Sequence, residues 1–255
     1  MFLYATENLI TSLTLDSVST EDPLYVKENL YCERPSKPFY FAAKAAQWIK
    51  LHFAAAAQRI TLAAAFNHNF TNAADCHVQG NAIDAWPGTD VGHVNWRLYD
   101  ECLRFDQTFA WWRFTVSDAG NPVFPRIGEL FFGQWATFTN AHVQPARDDG
   151  LSFYAVEQQT IYGQDWDVYL SEADRFKITL TNINDPATVD EIQQFLSAIS
   201  GPAGRFVFIP FPDQPHVYYV KVVGSPSASR PIYGEKELRN WSIELKALTR
   251  GITLL

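Results

Sequence analysis

The segment between residues 111 and 133 constrains the fold more than any other part of the chain. Apolar and polar side chains alternate over residues 111–117, which is the period of a half-buried β-strand. Residues 118–122 read Asp-Ala-Gly-Asn-Pro, the composition of a tight turn, and an extended run resumes over 126–133. A strand, a turn and a strand predict a β-sandwich built for packing and contact. The predicted inward face holds Trp112, Phe114 and Val116.

The composition favours many short strands over a helical bundle. The chain has 255 residues, 47% hydrophobic, 15% aromatic and 19% charged, with 13 Gly and 14 Pro. This length suits one large domain or two medium domains, and the balance of residue types is that of a folded globular protein. Frequent turn residues together with aromatic residues are typical of sandwiches and barrels. We therefore expect a mainly β protein.

The charge of the chain argues against a surface that binds nucleic acid. Twenty Lys and Arg stand against 28 Asp and Glu, which gives a net charge of −8. Affinity for DNA comes mainly from cations that release counterions from phosphates, and this chain has an excess of acids. An acidic wall that repels a passing duplex is compatible with the same charge.

The cysteines and the amino terminus indicate where the chain is made. Cys32, Cys76 and Cys102 are odd in number and widely spaced, so they form neither a disulfide framework nor a CxxC metal motif. No basic segment followed by an apolar core opens the sequence, and no apolar run approaches the ~20 residues that cross a bilayer. We expect folding in a reducing cytoplasm and no membrane anchor.

The pattern changes along the chain in a way that predicts two domains. Residues 1–20 read as one or two strands, and strand patterns with turn-rich joints continue to residue 142, including a loop at 67–81. Residues 143–150 contain Pro, charged residues and Gly, the composition of an exposed linker. We expect a second domain over 151–255, with strands at 175–181, 206–209, 217–223 and 241–248.

One helix is predicted near 186–199. Asp185 can accept a hydrogen bond from the free amides of the first turn, and Pro186 suits that turn. Gly201 and Pro202 are expected to stop the helix. Its apolar stripe consists of Val189, Ile192, Phe195, Leu196 and Ile199.

The first domain resembles a known family. Arg113-Phe-Thr-Val, a polar turn and Arg126-Ile-Gly-Glu-Leu-Phe-Phe-Gly look like the last two strands of galactose-binding-like (discoidin-type) jelly rolls. Residues 48–53 and 59–69 are similar to the central strands of the same domains. The resemblance implies a galactose-binding-like jelly-roll sandwich over 21–142. Such domains also occur in tail proteins of long-tailed bacteriophages.

The second domain resembles the tail-tube-like belt domain of phage distal tail proteins in its order of strand, helix and aromatic strands. Its last predicted strand carries Trp241, Ile243 and Leu245 at alternate positions. In that family the belt commonly comes first, whereas here the sandwich comes first or is inserted. If residues 1–20 join the C-terminal sheet, the jelly roll is an insertion in the belt, and we favour this arrangement.

The two resemblances together imply a structural, non-enzymatic component of a phage tail tip, located in the virion. It would form a ring, expected to be a hexamer, that joins the tail tube to the baseplate. Its partners would be the tail tube, the baseplate hub and other tail-tip proteins, with DNA passing through the lumen without specific binding. No cofactor is implied.

A carbohydrate-binding virion module for host surface glycans is the alternative function. Its loops would bind a saccharide through amide hydrogen bonds and ring stacking. The candidate contact residues are Trp86, Asn67, His68 and Asn69. Packing over the end of the sandwich is the alternative role for Trp86, and we expect Trp48, Trp112 and Trp241 in or near the core.

Catalytic and metal-binding signals are weak. The sequence has neither a G-x-S-x-G motif nor a convincing Cys-His pair, so we predict no catalytic residue. A hydrolase would instead show activity that is lost when a single acid or His is replaced. The densest set of metal-ligand types matches no closed zinc site, and we expect polar turn residues and no metal. That set is Asn67-His68-Asn69, Asp75-Cys76-His77 and His93. Some jelly rolls of the resembled type hold calcium in a loop, for which Asp75, Asp84 and Asp90 offer carboxylates.

Overall fold

A computed structural model describes most of the chain. The described residues are 2–94, 102–138, 142–159, 165–183, 185–199, 204–210, 217–229, 232–233, 236–237 and 239–248. They divide into two compact units. The sandwich unit comprises Phe2–Thr137 and Phe206–Tyr219, and the helix unit comprises Phe138–Arg205 and Val220–Arg250.

The described elements are almost all strands. In chain order they are β1 (Leu3–Ala5), β2 (Leu15–Val18), a 3-10 helix (Lys27–Tyr31), β3 (Phe39–Tyr40), β4 (Gln47–His52), β5 (Gln58–Phe66), β6 (Asp75–Asn81), β7 (Thr89–Val94), β8 (Cys102–Phe109), β9 (Trp111–Ser117), β10 (Arg126–Ile127), β11 (Glu129–Gly133), β12 (His142–Gln159), β13 (Asp165–Ile183), α1 (Pro186–Ile199), β14 (Arg205–Ile209), β15 (Tyr218–Ser229), β16 (Ile232–Tyr233), β17 (Lys236–Glu237) and β18 (Arg239–Ala247). A mainly β structure with one α-helix among the described residues confirms the predicted fold class.

Two larger sheets form the sandwich unit, and β3 and β10 add a two-stranded ribbon. One has five strands in the order β2-β4-β9-β6-β7, and the other has three in the order β11-β5-β8. Buried and half-buried side chains alternate along β4 and β9, so each strand has one inner and one outer face. β5 differs, because seven consecutive residues from Ile60 to Phe66 are buried.

Aromatic rings fill the space between the two sheets. The indole of Trp112 on β9 is fully buried, and its ring centroid lies 5.2 Å from Phe109, 5.6 Å from Phe105 and 6.3 Å from Phe132. Its Nε1 donates a hydrogen bond of 3.1 Å to the Phe109 carbonyl. Gly80 faces the same rings, and a Cβ there would overlap the ring of Phe109. The core therefore requires glycine at this inward position of β6.

The helix unit combines a sheet with α1. β18 pairs antiparallel with both β15 and β13, and β12 pairs with β13. The Asp185 carboxylate accepts hydrogen bonds of 3.0 Å and 2.7 Å from the amide and hydroxyl of Thr188, which confirms the predicted cap of α1. Val189, Ile192, Phe195 and Ile199 are buried, as the helical spacing predicts. The predicted stop at Gly201 and Pro202 lies outside the described residues.

The first twenty residues contribute strands to two places. β1 pairs antiparallel with β14, a strand from the last quarter of the chain, whereas β2 pairs with β4 of the five-stranded sheet. The insertion of a jelly roll in a belt domain stays a prediction.

Two expectations from the sequence are wrong in the structure. Residues 143–150 are not a linker but part of β12, because their backbone pairs with β13, and a register irregularity accommodates the segment after Asp148. Residues 75–81 are not part of a loop but form β6, because Cys76, Val78 and Gly80 face the core while polar residues alternate with them.

Candidate functional site: the outer face of the five-stranded sheet

The outer face of the five-stranded sheet carries rings and charged groups side by side. The two-residue period of β4 turns Trp48, Lys50 and His52 outward, and the same period on β9 turns Trp111 and Arg113 outward. The loop between β6 and β7 adds Trp86. All six side chains are half-buried. We call this set the tryptophan face: Trp48, Lys50, His52, Trp86, Trp111 and Arg113.

Strand register brings these side chains together from distant parts of the sequence. His52 lies opposite Trp111, and their rings stack with centroids 3.9 Å apart and planes 9° apart. One row further along the strands, Lys50 lies opposite Arg113, and Arg113 lies opposite Gln79 of β6. A row of polar head groups thus runs beside a stacked pair of rings.

The ammonium group of Lys50 connects two of the indoles. Its Nζ lies 5.3 Å from the ring centroid of Trp48 and 5.6 Å from that of Trp111, within the range of cation–π attraction. The same Nζ lies 3.0 Å from Asp84 Oδ2 and 3.7 Å from Asp16 Oδ2. Because the Lys50 side chain is only 15% exposed, these contacts hold the ammonium in one place.

Trp86 is fixed from two sides. Its Nε1 donates a hydrogen bond of 2.6 Å to Asp84 Oδ1, and the guanidinium of Arg113 lies 4.5 Å above its ring centroid. Arg113 in turn donates from Nε and Nη2 to Gln79 Oε1, at 3.0 Å and 2.7 Å. The loop indole is therefore oriented by the sheet below it.

The charges of the face are set by these contacts. Hydrogen bonds from Lys50 and then from Trp86 hold the pKa of the Asp84 carboxyl below its ordinary value, so Asp84 is ionised at neutral pH. Partial burial lowers the pKa of Arg113, and the nearby Asp84 opposes this effect. The face thus presents both fixed donors and fixed acceptors.

The structure does not bring Trp86 together with Asn67, His68 and Asn69, the other contact residues that the sequence suggested. The Asn67–Asn69 loop is tied to Asn121, which follows β9 and donates to the Asn69 carbonyl. Trp86 instead follows the other end of β6, which lies beside Trp111. These two ends of the β6–β9 pair are six residue steps apart, about 20 Å at the usual rise of a strand. The four residues therefore do not form a single ligand-binding cluster.

The contacts of the Asn67–Asn69 loop are structural. Asn67 has a φ of +50°, a left-handed conformation that Asn tolerates, and its amide donates to the Pro35 carbonyl. Asn69 accepts a hydrogen bond of 2.7 Å from the Arg126 amide and donates one of 3.0 Å to the Phe124 carbonyl. The side chains anchor the loop to two other chain segments, one at Pro35 and one at Phe124 and Arg126.

His68 gives this loop a pH dependence. Burial, and then the charge of Arg126, lowers the pKa of His68 to about 4, and its Nδ1 accepts a hydrogen bond of 3.2 Å from the Phe70 amide. The neutral ring is favoured in the folded protein, so its stabilisation is complete above the unfolded pKa of about 6.5 and is lost as the pH falls towards 4.

We expect His68 to lower the free energy of unfolding by about 2 kcal/mol between pH 7 and pH 5. Urea unfolding at both pH values, in the native protein and in His68→Gln, measures this loss as the difference between the two pH dependences. The interval from pH 7 to pH 8 is the control, because His68 takes up little proton there in either state. Equal acid dependence in the two proteins would contradict the assignment.

The structure brings some of the potential metal ligands of the sequence together and separates others. Asp75 and His77 lie on β6 and His93 on β7, so these residues belong to strands and not to the expected turns. Cys76 faces the core, where burial raises the pKa of its thiol. The three carboxylates considered for calcium do not share a partner. Asp84 pairs with Lys50, whereas Asp75 and Asp90 both contact His77.

From the sequence, Trp48 and Trp111 were not identified as surface residues. We expected Trp48 near the core, but it is half-buried on the outer face, whereas Trp112 and Trp241 are buried as predicted. The signal for Trp111 was present, because the alternation that turns Arg113 outward also turns Trp111 outward. Trp96 lies outside the described residues.

Over the part of the chain that the structure describes, no helix is both long and apolar enough to span a membrane.

Comparison with known proteins gives matches only among solved structures. No protein-family model and no curated protein sequence is a significant match. Carbohydrate-binding module CBM32-3 of a family 31 glycoside hydrolase from Clostridium perfringens is 16% identical, with a TM-score of 0.39 over 48% of this chain and 90% of that chain. Chitosan-binding module 1 of a chitosanase/glucanase from Paenibacillus sp. IK-5 is 14% identical, with a TM-score of 0.41 over 50% and 99%. The CBM32 domain of AlyQ, in complex with 4,5-unsaturated mannuronic acid, is 16% identical, with a TM-score of 0.39 over 50% and 96%.

Proposed function

We propose that the chain is a non-catalytic saccharide-binding module and that the tryptophan face is its binding surface. The observation that carries this proposal is the alternation of oriented rings and fixed polar groups across one sheet. Trp111 and His52 offer a stacked pair of flat rings, and Lys50 and Arg113 lie in the next row. Saccharide binding is the alternative function that the sequence suggested, but of the contact residues suggested with it only Trp86 lies on this face.

The chemistry of a sugar fits such a surface. A pyranose ring has faces of C–H groups that stack on indoles, and a rim of hydroxyls that both donate and accept hydrogen bonds. Lys50 and Arg113 supply donors and Asp84 supplies an ionised acceptor. Since ion pairs and hydrogen bonds already fix these groups, little side-chain entropy remains to be lost on binding.

Trp111→Ala is the sharpest test of this function. A glycan array with the native protein identifies a saccharide, and titration calorimetry then measures its affinity. Loss of the Trp111 ring should weaken binding about tenfold, because one aromatic stacking contact contributes ~1.4 kcal/mol. Trp135→Ala is the matched control, since Trp135 is an indole that is 38% exposed and follows β11 of the other sheet.

The phage tail-tip ring predicts a different result in the same preparation. Light scattering or electron microscopy of the purified protein would then give a ring of about six subunits. Such a ring without saccharide binding would contradict a saccharide-binding function. None of the similar structures named above is a tail protein, and the ring, its baseplate partners and its place in the virion stay predictions.

A further inference from the structure

The β6–β7 hairpin carries a second cluster of side chains, beyond the tryptophan face. His77 on β6 and His93 on β7 are cross-strand partners in an antiparallel pair. Asp75 precedes His77 by two residues and therefore lies on the same face, while Cys76 and Val78 point into the core. Register and the two-residue period thus place two imidazoles and one carboxylate at the same point of the surface.

The ligand atoms of these three side chains converge. His77 Nε2 lies 3.0 Å and His93 Nε2 lies 2.9 Å from the same oxygen, Asp75 Oδ1. The two imidazole rings stack with centroids 4.8 Å apart. All three ligand atoms lie within 4.8 Å of one another. Ligands of a tetrahedral zinc ion stand about 3.3 Å apart, given bonds of roughly 2.0–2.1 Å, so small side-chain rotations would seat an ion.

Asp90 provides an independent indication of metal binding. Its Oδ2 lies 3.0 Å from Nδ1 of His77, the ring nitrogen that does not face Asp75. A carboxylate at this nitrogen fixes the tautomer in which Nδ1 carries the proton, which leaves the Nε2 lone pair for a metal. A histidine that binds a metal through one ring nitrogen commonly donates the N–H of its other ring nitrogen to a carboxylate.

The ligand types select among metals. Two imidazoles and one carboxylate suit zinc and similar divalent transition ions, whereas calcium takes six to eight oxygen ligands. The side chains of Asp75, His93 and His77 are 58%, 45% and 28% exposed. Three protein ligands at an exposed position leave a fourth coordination position for water or an external ligand.

We propose that Asp75, His77 and His93 form a binding site for a divalent transition metal ion, with zinc as the best match, and that Asp90 orients His77 within it. The site lies on outward-facing side chains of the hairpin, so substitutions there leave the core intact. It does not depend on saccharide binding, and the two functions can fail separately.

Titration calorimetry with zinc chloride tests the site. The native protein should bind one zinc ion, and His93→Ala or His77→Ala should weaken binding by at least about 100-fold, because each removes one of three ligands. Asp90→Asn should weaken it about tenfold, as expected for a group that orients a ligand. Asp106→Asn is the matched control, since Asp106 is an exposed carboxylate paired with Arg59 elsewhere on the sandwich. This variant should bind zinc with the same affinity as the native protein.

Cobalt(II) gives a second readout of the coordination. Visible absorption bands with the intensity of a tetrahedral site should appear in the native protein and disappear in His93→Ala. No zinc binding by the native protein, equal zinc binding by the His variants, or equally strong binding of calcium would each overturn the assignment. Circular dichroism of each variant confirms that it is folded.

Discussion

Trp112→Ala should lower the free energy of unfolding by about 4 kcal/mol, because it removes a fully buried indole between two sheets and leaves a cavity. The three phenylalanine rings around Trp112 come from β8 and β11 of the three-stranded sheet, so the substitution removes a contact between that sheet and β9 of the five-stranded sheet. The hydrogen bond from its Nε1 to the Phe109 carbonyl is lost as well. Urea unfolding followed by circular dichroism measures the change.

Trp111→Ala is the control for this prediction, because it removes the same side chain from the adjacent position on the outer face. Its cost should be within about 1 kcal/mol, as for other partly exposed positions. If Trp112→Ala does not fold, Trp112→Phe keeps a ring in the site and should cost about 2 kcal/mol. Equal losses for Trp111→Ala and Trp112→Ala would mean that the two faces of β9 are assigned incorrectly.

Asp118→Ala should lower the free energy of unfolding by about 3 kcal/mol. Asp118 is only 1% exposed, and its carboxylate accepts hydrogen bonds from the Thr71 amide and hydroxyl and from the Asn121 side chain, the amide contacts both being 2.9 Å. Removal of the carboxylate takes the acceptor from the Thr71 amide and hydroxyl and from one N–H of Asn121. Hydrogen bonds to charged groups are the costly ones to lose.

Asp106→Ala is the control for Asp118, because it also removes a carboxylate but from an exposed ion pair with Arg59. Its side chain is 63% exposed, so solvent screens the ion pair and its loss should cost little beside the loss of Asp118. Asp118→Asn, which keeps one acceptor oxygen, should fall between the native protein and Asp118→Ala. A cost for Asp118→Ala as small as that of Asp106→Ala would contradict a structural role for this buried network.

The fold could be predicted where a segment carries its own signal. β9 was bounded correctly because Trp112, Phe114 and Val116 alternate with polar residues, and α1 because its apolar stripe and Asp185 cap are local features. β6 was mistaken for a loop, since the outer positions of this strand hold His77, Gln79 and Asn81, residues that are also common in turns. Residues 143–150 were mistaken for a linker for the same reason.

The candidate sites could not be predicted, because they depend on register between distant strands. His52 and Trp111 stack across β4 and β9, and His77 meets His93 across β6 and β7. No local pattern states which residues of two strands are opposite one another. The sequence did contain His77 and His93 in its densest set of ligand types, but it grouped them with His68, which the fold places at a separate, structural position.

The adjacent indoles of Trp111 and Trp112 have a consequence for how this protein can evolve. A single inserted or deleted residue in β9 would exchange the two faces, so this strand tolerates substitutions on its outer face far better than changes of length. Point changes on the outward side leave the interior untouched. Under the saccharide-binding function proposed above, single substitutions on this face would change the preferred ligand and leave the scaffold that displays it unchanged.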